Sequence, residues 1–98
     1  MKDLKLIRKN ITANTAEHYE FDVNGFEYLV KNFNDFDIFV AFKETNDTDE
    51  MIKIPAESSQ VCLLNKYVST FTPINMSSKD VYVYAESAGE VEVQCIRF

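Results

Sequence analysis

Few side chains in this sequence have the type and spacing for chemistry. His18 is the only histidine, and a catalytic imidazole needs a nucleophile or a carboxylate held against it. The sequence alone places neither, so His18 reads as a surface residue on the polar face of its segment. Cys62 and Cys95 sit among apolar neighbours, in "VCLL" and "VQCIRF". Only Arg97, beside Cys95, could favour a thiolate, so both read as buried, reduced thiols. One histidine and two distant cysteines without a Cys-x-x-Cys pair do not compose a zinc site. Glu44, Asp47, Asp49 and Glu50 place oxygens at near-alternate positions, which suits Ca²⁺. Their turn lacks a glycine and flanking helices, so a solvated acidic loop is expected. The only glycines are Gly25 and Gly89, too few for a phosphate-cradling loop. The expectation is a non-enzyme with no catalytic, cofactor-binding or metal-binding residues.

The chain must therefore be read through the elements that would position a binding surface. Its 98 residues fit one domain, with 46% hydrophobic residues, eight Phe and five Tyr to fill a core. A net charge of −6 argues against binding a nucleic-acid backbone. Residues 1–10 hold Lys2, Lys5, Arg8 and Lys9 against Asp3, whereas the rest carries six basic and fifteen acidic side chains. This basic N-terminal strand or arm is either a solvated end or a segment that docks on an acidic neighbouring copy. No apolar run is long enough to span a membrane. The charged start "MKDLKLIRKN" does not resemble a secretory signal, so synthesis in a cytoplasm is expected. The Asn-x-Ser/Thr matches at Asn10, Asn46 and Asn75 are attributed to chance.

The dominant period is two, the period of strands. "LKLIRK" (4–9) alternates weakly. "HYEFDV" (18–23) points Tyr19, Phe21 and Val23 one way, and "FEYLVK" (26–31) does the same with Phe26, Tyr28 and Val30. Asn24-Gly25 between them predicts a two-residue type I′ hairpin. Further strands are expected at 37–43, 51–55, 59–65 and around Tyr67 to Phe71. A final hairpin is expected from 80–86 and 90–98 through Ser87-Ala88-Gly89. A helix starting at Pro55 is the alternative for 55–64. The sum is an all-β domain over 1–98: a small antiparallel β-sandwich, jelly-roll-like, of about eight strands. The immunoglobulin pattern is disfavoured by the absence of Trp.

Apolar groups on faces that should be polar are the informative anomaly. In 37–43, Ile38, Val40 and Phe42 line one face, but Phe39 and Ala41 make the other apolar as well. In 80–86, Tyr82 and Tyr84 stand opposite the core-like Val81, Val83 and Ala85. Near the C-terminus the alternate set ends in Ile96 and Phe98. A strand with two apolar faces is covered on both sides. Phe39, Ala41, Tyr82, Tyr84, Ile96 and Phe98 are thus the candidate interface residues. A bulge that switches faces is the other account of Ile96 and Phe98, and a sugar-stacking platform is another use of the tyrosines.

The run "NFNDFDIFVAF" (32–42), then "IKIPA" (52–56) and "DVYVYAESAGEVEVQCIRF" (80–98), resembles small accessory virion proteins of tailed phages and prophages of Gram-positive bacteria. The likeness covers residues 25–98 and lies in strand-and-turn layout, so it carries over no site residues. It implies a β-sandwich that assembles on a capsid, neck or tail, without catalysis. The expected role is a capsid-associated decoration or fibre-base component, made in the host bacterial cytoplasm and located in the virion. Its expected partners are copies of itself and a larger virion protein. The alternatives are a carbohydrate-binding module and an acidic phage inhibitor that mimics DNA.

Overall fold

The computed structural model describes residues 5–64 and 77–98. Eight strands follow one another: β1 (Leu6–Ile11), β2 (Glu17–Gly25), β3 (Glu27–Asn32), β4 (Ile38–Ala41), β5 (Ile52–Ile54), β6 (Ser59–Leu63), β7 (Ser78–Tyr84) and β8 (Gly89–Arg97). A 3₁₀ turn at Thr48–Glu50 lies between β4 and β5. The strands form two antiparallel sheets, ordered β1-β8-β3-β6 and β2-β7-β4-β5. The pairs β1·β8, β2·β7, β3·β6 and β4·β5 are those of one long hairpin bent between β4 and β5. Rolling that hairpin adds β3·β8 and β4·β7. The result is jelly-roll topology, the fold class expected from the period-two pattern. Of the segment expected at 59–65, Ser59–Leu63 form strand β6 rather than a helix. The strand expected around Tyr67 to Phe71 lies outside the described residues.

The core is built from the inward residues of both sheets. Tyr19, Phe21, Ile38, Val40, Ile54, Val81 and Val83 come from one, and Ile11, Tyr28, Val30, Cys62, Val91, Val93 and Cys95 from the other. The Tyr19 hydroxyl crosses between the sheets to donate to Val91 O at 2.9 Å, and Tyr28 donates to Ser78 O. Both phenols are pushed above the ordinary tyrosine range, chiefly by burial.

Two local expectations are corrected. Strands β2 and β3 do not pair with each other: β2 runs through Gly25 and pairs with β7, while β3 pairs with β6 and β8. Asn24-Gly25 is therefore a corner between sheets, and Gly25 does not adopt a positive φ. Its missing side chain serves close packing, since a Cβ there would come within 2.6 Å of the Tyr28 ring and 2.5 Å of Cys95 Sγ. Likewise β7 and β8 lie in different sheets, so Ser87-Ala88-Gly89 is a second corner. Here Asn34 takes the space in front of Gly89. Its side chain accepts from Glu90 N at 3.1 Å and donates to Glu90 O at 2.9 Å.

The antiparallel order sends the β1–β2, β3–β4, β5–β6 and β7–β8 connections to one end of the sandwich. Buried Asn32 ties the β3–β4 connection to the β5–β6 connection there, and Asn14 N donates to Ala85 O at 2.7 Å to join the β1–β2 and β7–β8 connections. Asn32 donates to Phe36 O at 2.8 Å and Pro55 O at 3.1 Å and accepts from Asn34 N at 3.0 Å.

Candidate interaction faces

Four of the six candidate residues share one surface, the outer face of the β2-β7-β4-β5 sheet. The register sets Phe39 opposite Tyr84 and Ala41 opposite Tyr82. Phe39, Tyr82 and Tyr84 are half-buried, and Ala41 is only 2% exposed although it alternates with the core residue Val40. On the other flank of β7, Tyr82 faces His18 of β2. The two rings stack at a centroid distance of 4.6 Å and an interplanar angle of 8°. His18 Nε2 lies 2.8 Å from Asp80 Oδ1. Partial burial, then the carboxylates of Asp80, Glu44 and Glu20, push the Tyr82 phenol up. Glu20 and Asp80 are also direct cross-strand partners, a like-charge pair that is unfavourable without compensation. The aromatic patch is thus bordered by negative charge on its β2 side, while Lys53 stands opposite Phe39 on its β5 side.

Ile96 and Phe98 belong to the opposite side of the molecule. Along β8 the register jumps from Cys95, opposite Tyr28, to Arg97, opposite Glu27. Ile96 is the extra residue of a bulge, one of the two accounts raised by the sequence. It is 41% exposed and Phe98 57% exposed, and Lys5 Nζ sits 4.2 Å above the Phe98 ring. The outer face of this β1-β8-β3-β6 sheet is more apolar than the sequence reading allowed. A row across it runs Leu6, Gln94, Leu29 and Val61, and Leu63 lies opposite Glu27. Leu6 and Val61 are 45% and 40% exposed. The run "VCLL" held the missing signal, because Val61 and Leu63 are apolar opposite the inward Cys62 and Leu64.

The next row of that face is ionic. Glu92 stands between Arg8 and Lys31, and its side chain is only 7% exposed. Arg8 Nε lies 3.4 Å from one carboxylate oxygen and Lys31 Nζ 2.7 Å from the other. The second oxygen has no further hydrogen-bond donor among the described residues. Cross-strand neighbours thus supply the countercharge that a near-buried carboxylate requires.

The residues weighed for chemistry have structural surroundings. Cys62 and Cys95 are buried thiols outside any disulfide, one on each side of Tyr28 across the β6-β3-β8 ladder. Two strand spacings, roughly 9–10 Å, exceed the reach of a disulfide. Burial pushes the Cys95 thiol up, opposite to what a nucleophile needs, and the neighbouring Arg97 faces Glu27 at 3.6 Å. In the acidic loop, Asp47 caps the 3₁₀ turn by accepting from Asp49 N at 3.1 Å. Glu50 lies 3.5 Å from Lys43. No three metal-ligating groups converge among the described residues. No helix among them is long and apolar enough to cross a membrane.

Comparison with protein-family models, curated proteins and solved structures finds no match for this chain.

Proposed function

We propose that this chain is a non-enzymatic structural protein of a phage virion, a decoration or fibre-base component. It docks through its sheet faces on copies of itself and on a larger particle protein. The observation that carries this reading is that the sandwich has apolar side chains on both outer faces. Phe39, Tyr82 and Tyr84 stand on one, and Leu6, Leu29, Val61, Leu63 and Ile96 on the other. A sandwich that works alone in water needs only its inner faces apolar, and grouped outward apolar residues mark surfaces that other proteins cover. Burying one more large apolar side chain at a contact contributes roughly 1.5–3 kcal/mol, so a few per protomer can hold an assembly. Jelly rolls recur in capsid proteins, which is support at the level of fold alone.

The rival readings have weaker physical support. A sugar platform needs an aromatic face turned to solvent, and one face of Tyr82 is taken by His18. A DNA mimic needs its acids on one surface. Here Asp35, Asp37, Glu57 and Glu86 occupy connections at one end, while Glu44, Asp47, Asp49 and Glu50 occupy the β4–β5 connection at the other. The virion reading is tested by quantitative mass spectrometry of purified particles whose genome encodes the chain. A fixed, stoichiometric copy number is expected, and absence from intact particles would overturn it.

A further inference from the structure

At the end of the sandwich tied together by Asn32 and Asn34, the aromatic face runs into an open cavity of about 420 Å³. Its walls are Asp35, Phe36, Asp37, Phe39, Glu86 and Ser87. Phe36, Phe39 and three carboxylate residues line it, with no basic residue among them, and Phe36 also packs against the core. Lys53 stands nearby, opposite Phe39, and its Nζ is 3.3 Å from Asp37. Asp37 also accepts from Ala56 N at 3.1 Å, so its charge is committed. Asp35 and Glu86 are exposed and have no such partner among the described residues.

We propose that this cavity receives the side chain of an arginine or lysine projecting from a partner protein. The proposal rests on the docking reading above and names the chemistry of the partner's contact. Three features select a basic side chain over other ligands. Aromatic walls attract a cation through the ring quadrupole while covering its aliphatic stem. Asp35 and Glu86 supply the countercharge at the rim. The four connections at this end carry Asp35, Asp37, Glu57 and Glu86 and no Lys or Arg. An acidic peptide or a nucleic-acid backbone is therefore repelled, and a basic segment is drawn in.

The test titrates the intact chain with the blocked peptide acetyl-Gly-Arg-Gly-amide, following backbone amides by two-dimensional NMR. The control peptide carries citrulline, which keeps the shape of arginine and removes its charge. The arginine peptide is expected to shift the amides of 35–39 and 86–87 saturably, and the citrulline peptide to bind at least tenfold more weakly. The double variant Asp35→Asn, Glu86→Gln changes two exposed side chains, and its unaltered spectrum elsewhere reports that the fold is kept. It is expected to weaken arginine-peptide binding at least fivefold. Equal shifts from both peptides, shifts that do not saturate, or unchanged affinity in the double variant would each overturn the proposal. Particle incorporation and oligomeric state are measured separately, so this result and the fate of the docking reading can be told apart.

Discussion

Phe39 of β4 stands directly across from Tyr84 of β7 on the outward side of the sheet, with the core residues Val40 and Val83 paired one step along on the inward side. The sheet is therefore apolar through its thickness at this point. That pair links the core to the proposed docking face and, through Phe39, to the acidic cavity at the end of the sandwich.

The corner at Gly25 depends on space rather than on a left-handed backbone. Gly25→Ala is expected to cost on the order of 1–3 kcal/mol by overpacking against Cys95 Sγ and Tyr28. Cys95→Ala should relieve part of that cost, so the double variant should lose less stability than the two single losses combined. Urea unfolding of the four proteins measures this. Strict additivity would show that the two side chains do not compete for one space.

How far this was legible in the sequence follows from the same corner. Alternation placed Tyr19, Phe21, Tyr28, Val30, Val81, Val83, Val91 and Val93 in the core, because period two fixes which face a side chain takes. Alternation does not name a strand's partner. Two segments joined by Asn24-Gly25 look like a hairpin whether they pair with each other or diverge into opposite sheets. The same ambiguity hid the corner at Ser87-Ala88-Gly89. The apolar face of β1 was obscured because Lys5, Arg8 and Lys9 interrupt both of its faces. Only the register with β8 shows that Arg8 serves Glu92, while Lys9 lies over the Tyr19 ring at 4.7 Å.

The ionic row on the β1-β8-β3-β6 sheet predicts an asymmetry between its members. Lys31→Met leaves the near-buried Glu92 with Arg8 alone and should cost about 2 kcal/mol, the scale of an under-compensated buried charge. Glu92→Gln leaves two cations that water can reach and should cost about 1 kcal/mol or less. Chemical denaturation would contradict the arrangement if Glu92→Gln proved the more damaging.

Stability should fall on the alkaline side. Burial raises the Cys95 thiol and the Tyr19 and Tyr28 phenols above their unfolded values. The folded state thus holds these protons more tightly than the unfolded state. Their contribution is complete below the ordinary thiol range of about 8.5, and it is lost as pH rises through the raised values. Thermal unfolding between neutral pH and pH ~11 is expected to show Tm declining first through the thiol range, then more steeply through the phenol range. Cys95→Ala should flatten the first part, and a wild-type Tm that rises there would reverse the sign argued from burial.

The row Cys62–Tyr28–Cys95 predicts slow thiol chemistry. A thiol reagent added to the native protein should react at the rate of opening of the core, and denaturant should release two free groups at once. Fast reaction of either thiol in the folded protein would contradict the burial assigned to it.

The outward apolar residues are expected to be covered in the working assembly, and size-exclusion chromatography with light scattering tests this most directly. The unmodified protein at tens of micromolar (~10⁻⁵ M, within the range expected of a specific interface) should elute as a homo-oligomer of one discrete mass. The variant Phe39→Ser, Tyr84→Lys should elute as a folded monomer. A monomeric unmodified protein at that concentration would contradict self-assembly through these faces.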